Sequence, residues 1–439
     1  MAADELEREV VELAQALIRL DTSNPPGAET PAAELIAEYL RGAGVESELV
    51  GPDPERLNLV ARVEGDGSGP SIMLMGHTDV VPAPTADWTV PPFEARLCDG
   101  RLVGRGAVDM KNEVAARAAA VAALARSGRR PPGDVVLVAE ADEEMNVSDV
   151  GMSWLARERP DLRCDFALNE GGGSLLELAD GRRVVTVSVG EKQVTSLRLR
   201  IHGRAAHASV PAFGDNPVRH AAAASERLLA YEPPAGEVPA IDRALRELGA
   251  PADRDAAVAC ARELHPLLDG MLPAMTRMTV TPTGLRTYEP ANVIPPFADV
   301  TCDCRAIGAQ TEDDVRRHVE LALGDQFEYE LELLEPLVGG TESSIDTPLY
   351  RVLEEYVAER LPGAVLLPLI TPGFTDSHWI REAHGTVAYG FAPVFATGAM
   401  AYMRAAHAAD EALAIDDLVE MARFHLHAIS GSLVTSVDT

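Results

Sequence analysis

Four short stretches carry residues whose types and spacing suit metal chemistry. In SIMLMGHTDVVP (71–82) an apolar run ends at Gly76, and His77 and Asp79 follow with one residue between them. At a strand end, residues two apart point to the same side. One can then be a ligand while the other, a carboxylate, fixes the imidazole tautomer. By itself the pair also fits a surface turn, the commoner use of such residues. In GRGAVDMKNE, Asp109 and Lys111 stand just before an Ala-rich stretch, where Asp109 also fits a helix cap. In VVLVAEADEEMN (135–146) an apolar strand runs into Glu140, Asp142, Glu143 and Glu144. Crowded carboxylates repel one another, and a cation relieves this; a solvated acidic loop is the alternative. In CDFALNEGGG (164–173) Glu170 follows a short apolar strand and precedes three glycines, which allow close backbone approach. One histidine and several carboxylates form the ligand set of paired divalent metals such as zinc. A carboxylate shared by two ions about 3.5 Å apart is the usual two-metal hydrolase layout.

The elements that must position these residues are legible in the hydropathy pattern. Residues 5–20 and 30–43 have the spacing of amphipathic helices, separated by Ser23-Asn24-Pro25-Pro26-Gly27. Leu57–Val63, Ser71–Met75, Val135–Ala139 and Asp165–Asn169 read as buried strands, and Glu113–Ser127 as a helix. This alternation predicts an α/β layer with a central, mostly parallel sheet flanked by helices. The chemical residues then fall at strand ends or helix starts, where open α/β sheets form their binding crevice.

Near residue 184 the pattern changes. Val184–Val189 and Thr195–His202 alternate like half-exposed strands. A helix at Pro217–Leu229, strands at Met278–Thr283 and Ala298–Arg305, a helix at Glu312–Leu323 and a strand at Phe327–Leu333 follow. That is β-α-β-β-α-β, the order of a ferredoxin-like α+β sandwich. We therefore expect a discontinuous α/β domain, 1–188 and 334–439, carrying an inserted α+β domain, 189–333. The Pro- and Ala-rich segment 232–275 has no readable role and reads as an insertion in the smaller domain.

Composition narrows the function classes. The chain has 439 residues, 46% apolar and 24% charged, as expected of a folded protein of two or three domains. Its formal charge of −31 repels phosphate backbones and anionic lipid, so no nucleic-acid or membrane partner is expected. No apolar run is long enough to span a bilayer, and the acidic N-terminus lacks the pattern of a signal peptide. Five scattered cysteines point to reduced thiols and a cytoplasmic setting, with Cys302 and Cys304 as core residues. Of the 38 basic residues only Lys111 and Lys192 are lysine, which asks why arginine did not serve there. GRGAVDM lacks the pattern of a phosphate loop, and no G-x-S-x-G elbow occurs.

GHTDVVP, GRGAVDMK, DEE and NEGG, in this order and spacing, resemble the zinc metallopeptidase family that includes aminoacylase, acetylornithine deacetylase, succinyl-diaminopimelate desuccinylase and glutamate carboxypeptidase. The resemblance covers about residues 5–430. It implies two divalent ions per chain, zinc first, with cobalt or manganese suited to the same ligands. It implies His77 and Glu170 as ligands of one ion, Glu144 as a ligand of the other, and Asp109 as the bridge. The family's last ligand is a late histidine before an acidic pair; His407, ahead of Asp410-Glu411, matches it, with His425 and His427 as competitors. Asp79 resembles the residue that orients the ligand histidine, and Glu143 the general base. GRAAHASVP (203–211) matches the lid histidine, so His207 resembles the oxyanion donor. In dimeric members that histidine reaches the partner's site, which implies a homodimer through the lid domain.

ANVIPP, CDCRA and TPGFTDSHWIR resemble substrate-holding segments, with Asn292, Arg305 and Gly373 as contacts and Thr375, Asp376 and Ser377 as candidates. Asn112 after DMK, NEGGG and VSVGEK look closer to the carboxypeptidase S and N-acyl-amino-acid hydrolase branch. MNVSDVG (145–151) stands where many members have a shorter Gly-rich turn, which implies a differently shaped pocket wall. The expected activity is hydrolysis of an N-acyl amino acid or short peptide with a free carboxylate. The alternatives are a deacetylase or desuccinylase of a biosynthetic amine and, from another class, an inactive metal-binding scaffold.

Overall fold

A computed structural model describes residues 3–146 and 148–433. Met1, Ala2, residues 434–439 and Val147 of the MNVSDVG turn lie outside the described residues.

The larger layer is built on a nine-stranded sheet. Its centre is four parallel strands, Val135–Glu140, Ile72–His77, Phe166–Asn169 and Val387–Gly390. All six positions of Ile72–His77 and of Val135–Glu140 are buried, as expected of strands covered on both faces. Antiparallel neighbours extend both sides. Asn58–Val63 and Ser47–Val50 lie beyond Val135–Glu140. Arg183–Glu191 lies beyond Val387–Gly390, with Val365–Thr371 parallel to it at the edge. The sheet is therefore mixed, with a narrower parallel centre than the mostly parallel sheet expected. The Ala-rich helix Lys111–Arg126 is buried from Lys111 to Leu124, packed between helices Ala3–Ile18 and Ile415–His427. Small side chains all round it let helices approach from both sides.

The smaller layer is an antiparallel sheet in the order Thr279–Arg286, Phe297–Ala306, Gln193–His202, Tyr329–Leu333. Helices Pro217–Ala230 and Glu312–Leu323 pack on it, giving the ferredoxin-like element order. Glu312–Leu323 starts where the sequence reading starts it, because Thr311 and Asp314 form a reciprocal capping box. Cys302 and Cys304 are fully buried in this core beside Leu197 and Leu199.

Two expectations are corrected. Val184–Val189 is not half exposed: the strand is buried from Val184 onward and runs in the larger sheet to Glu191, past the expected boundary at 188. Segment 232–275 does not belong to the smaller core. Its helices Pro239–Glu247, Arg254–Arg262 and Pro266–Thr276 join the larger core through Ile241, Leu245, Leu268 and Leu272. The first of them covers edge strand Val365–Thr371. An otherwise open sheet edge is thereby protected.

Both lysines are fully buried. Lys111 Nζ donates to the Leu20 carbonyl at 2.7 Å. Lys192, at the crossover into the smaller layer, donates to the carbonyls of Ala274 and Arg277 at 2.7 and 2.8 Å. A compact ammonium fits these carbonyl pockets, whereas a planar guanidinium needs a wider, forked partner. Burial pushes both amines down to about 7.

Candidate metal centre

The central strand Ile72–His77 ends on a buried histidine. Its Nδ1 lies 3.0 Å from the main-chain oxygen of Asp79, which can only accept, so Nδ1 carries a proton, and Nε2 faces Asp109. His77 Nε2 is 3.1 Å from Asp109 Oδ1 and 3.9 Å from both Glu143 Oε2 and Glu170 Oε2. On the other side, His407 Nε2 is 3.2 Å from Asp109 Oδ2 and 3.1 Å from Glu144 Oε2. Asp109 thus lies between two His–Glu sets, one oxygen toward each. The buried Glu144 Oε1 has no hydrogen-bond partner. Among the described residues, the acid and histidine groups tight enough to hold an ion are His77–Asp109–Glu144 and His77–Glu143–Glu170, both in this cluster.

The electrostatics fit a cation. Burial, with Asp109 and neighbouring carboxylates adding to it, pushes Glu170 up to about 8. Burial and the charge of Glu170 raise Glu143 well above the carboxylate range. Burial also works against ionised Asp109, but hydrogen bonds from His407 and His77 outweigh it and hold Asp109 below its usual range. Hydrogen bonds to Asp109 and Glu144 raise His407 to about 10. Carboxylates this close compete for protons, and divalent cations remove the conflict.

Polar residues beneath the cluster set its shape. The Asp79 carboxylate is 3.5 Å from His77 Nδ1, so His77 is oriented chiefly by the Asp79 main chain. The carboxylate instead accepts the backbone N–H groups of Glu143 and Glu144 at 3.2 Å each, and the Asn24 amide at 2.9 Å. Asp79 therefore ties the loop that carries Glu143 and Glu144 to the central strand. Asp142, at φ +64°, accepts from Asn24, from Arg56 and from Ser148 N–H. Arg56 is in turn paired with buried Glu29. On the opposite side, Glu411 Oε1 accepts from Val108 and Asp109 N–H at 2.6 and 3.0 Å. Its Oε2 accepts from Arg105 at 2.5 Å and from Gly106 N–H at 3.2 Å. Arg105 also donates to the His407 carbonyl. Asp109 is not a helix cap: the helix begins at Lys111, after Met110.

The cluster forms the floor of a cavity of about 790 Å³ between the two layers. Asp109, Glu143, Glu144, Glu170, His407, Arg305, Gly373 and Thr375 all line it. Asp376 and Ser377 are buried at the start of the next helix, and Ser377 accepts from Asn169. Arg305 is held by Asp303 through Nε and Nη2, each at 3.0 Å. His207 and Asn292 are not brought into the cavity. Both are exposed, His207 on and Asn292 just before a two-stranded ladder, Ala206–His207 with Val293–Ile294, where Ala208 N–H donates to the Asn292 carbonyl. His425 is buried in helix Ile415–His427, away from the cavity.

Sequence reasoning did not single out Asn24, Glu29, Arg56 or Arg105. Arg56 carries no local pattern that marks it. Glu411 was visible only as part of the acidic pair after His407.

Residues 73–431 match the family model described as Peptidase family M20/M25/M40. The chain belongs to Peptidase family M20/M25/M40. Among curated relatives it is 36% identical, over 231 residues, to a succinyl-diaminopimelate desuccinylase from Rhodospirillum centenum. That match covers 51% of this chain and 57% of the relative, so the chain spans little more than half the length of such relatives. Among solved structures, an M20 family metallo-carboxypeptidase from Sulfolobus solfataricus superposes with a TM-score of 0.71 at 16% identity, covering 97% of this chain and 99% of that one. Human carnosine dipeptidase 1 superposes at 0.70 with 15% identity, covering 99% and 97%. These likenesses show that the M20 fold spans both layers of this chain.

Proposed function

We propose that this chain is a two-metal amidohydrolase that cleaves an N-acyl amino acid or short peptide bearing a free carboxylate. The observation that carries the reading is Asp109, set with one oxygen toward His77 and the other toward His407. In this reading His77, Asp109 and Glu170 hold one divalent ion, and Asp109, Glu144 and His407 hold the other. Zinc suits the donors best, and cobalt or manganese is accepted by the same set. When bound, the ions polarise the scissile carbonyl and make water acidic enough to be deprotonated near neutral pH.

The chain's own groups do the rest. Glu143 faces the cavity beside the ligands and takes a proton from water, then passes it to the leaving amine. Asp79 keeps Glu143 and Glu144 in place through their backbone N–H groups. Arg305 exchanges its bond to Asp303 for the substrate carboxylate, a bidentate pairing. His207 and Asn292 act on the site of a second copy, with His207 as oxyanion donor. That role supports a homodimer through the smaller layer, which thus serves as lid and contact. Exposed Val210, Phe213, Leu285 and Tyr288 on the same layer suit such a contact.

Localisation is assigned to the cytoplasm, in keeping with five free cysteines. Among the described residues no helix is long and apolar enough to cross a membrane. A second reading, desuccinylation or deacetylation of a biosynthetic amine, is favoured by the identity to the desuccinylase. The inactive-scaffold reading lacks support, since the five ligand positions and Glu143 are all filled by competent residues.

The test is release of free amino acids from pooled N-acyl amino acids and dipeptides, read by mass spectrometry with and without chelator. Chelator-sensitive release is expected. No release by protein holding two ions per chain would overturn the reading.

A further inference from the structure

The cavity walls differ sharply in character. The floor is acidic, but the sides carry Phe374, Trp379, Tyr402, Met145 and Met403. Phe374 and Trp379 lie edge to face with ring centroids 5.8 Å apart. Met145 and Met403 are 45% and 44% exposed. Large apolar side chains left in water at a cavity wall favour an apolar occupant. Methionine and aromatic surfaces also accommodate groups of varied shape.

The charged groups point the same way. Among the described residues, Arg305 is the one Arg or Lys that lines the cavity, against Asp109, Glu113, Glu143, Glu144, Glu170 and Glu335. Arg305 already shares its charge with Asp303. One guanidinium serves one carboxylate. A succinyl-type substrate brings a second carboxylate on its acyl arm, and that arm would face acids and apolar walls.

We propose that the acyl half of the substrate is a bulky apolar group, seated against Phe374, Trp379 and Met403, and that a carboxylate-bearing acyl group is rejected. The amino-acid half then places its carboxylate on Arg305, which comes from the smaller layer, while the acyl arm meets the side chains of the larger one. This inference rests on the amidohydrolase reading above and names its substrate class.

The matched pair for a test is 4-methylpentanoyl and succinyl, which share a shape and differ in charge. Four pools of the common amino acids would be acylated with acetyl, hexanoyl, 4-methylpentanoyl or succinyl groups. Initial rates would be measured at low concentration with metal-loaded full-length protein. Each buried methylene is worth about a fourfold gain in kcat/KM at most. The hexanoyl and 4-methylpentanoyl pools are expected to turn over at least about tenfold faster than acetyl. The succinyl pool is expected to be slower than acetyl. Phe374→Ala is expected to lower the 4-methylpentanoyl to acetyl ratio by about tenfold. That ratio is insensitive to the fraction of folded or metal-loaded protein.

Succinyl turnover equal to or above 4-methylpentanoyl would overturn the proposal. So would ratios unmoved in both Phe374→Ala and Met403→Ala. If acetyl or succinyl pools are cleaved without apolar preference, the amidohydrolase reading stands and this inference falls. If no pool is cleaved, this inference falls, and release from dipeptides decides the amidohydrolase reading.

Discussion

Glu411 offers the sharpest test of how the centre is held. Its carboxylate is fully buried and accepts four hydrogen bonds, three from the backbone of the loop ending in Asp109 and one from Arg105, which is itself 3% exposed. Glu411→Ala removes the counter-charge of a buried guanidinium, which costs about 3–5 kcal/mol in such pairs. The remaining partners of Arg105, the His407 carbonyl and the Trp88 ring, are neutral. Glu411→Gln keeps an acceptor for Arg105 but turns an amide donor toward backbone N–H groups, and should cost about 1–3 kcal/mol. Both changes free the loop that carries Asp109 and the segment that carries His407. Metal affinity should therefore fall by about 10–100-fold, the usual cost of losing a group that orients ligands. The assay is metal content after dialysis against buffered zinc, with circular dichroism and thermal melting on the same samples. A folded Glu411→Gln protein with wild-type metal affinity would refute the positioning role. Wild-type melting of Glu411→Ala would refute the energetic argument.

Glu143→Ala should retain its metal and lose turnover by about 10²–10⁴-fold; near-normal turnover would remove Glu143 from the chemistry. His207→Ala should lower the rate by about 10²–10³-fold with metal and fold intact. Mixing it with Glu143→Ala should restore activity, because a mixed dimer regains one complete site; no restoration in a proven mixed dimer would place His207 in its own chain's cavity or outside the reaction. The pH dependence of stability has a definite sign. Burial first of all pushes Glu140 and Glu170 up to about 8, and Glu113 and Glu411 up to about 7, from an ordinary 4.5. Folding therefore favours their protonated forms, so the ion-free protein is most stable below about pH 4.5 with respect to these groups and loses that stability as pH rises through about 8. Of these, Glu170 is the proposed ligand, and a cation binds it deprotonated. The melting gap between metal-loaded and chelator-treated protein should widen from about pH 5 to about pH 8; a constant or shrinking gap would contradict the assignment.

The ligand cluster was legible because each of its acids and His77 follows a short apolar strand or precedes the Ala-rich helix. Strand ends of one sheet converge, so linear motifs far apart in the chain become neighbours. His407 was legible only through resemblance, since its segment has no strand before it and it adopts φ +62°. The supporting layer was hidden for a different reason. Asn24, Arg56 and Glu411 reach their partners across 27 to 306 residues of chain, and no periodicity encodes such pairings. Segment 232–275 was opaque because its three helices are short, start on Pro or Arg, and belong to the core of a layer that the chain has left. Val184–Val189 misled because Thr186 and Ser188 break the apolar run, yet both are buried against adjacent segments of the same sheet, Ser188 bonded to Thr371 and Thr186 to Ser174. His207 and Asn292 matched the motifs but lie on the surface of the single chain, outside the cavity.

The central claim is that Asp109 joins two ion sites. The direct measurement is elemental analysis of bound zinc per chain for the wild type and for Asp109→Ala, after dialysis against the same buffered metal. The account predicts two ions per chain in the wild type and loss of both in folded Asp109→Ala. A single ion in the wild type, or two retained in the variant, would contradict it.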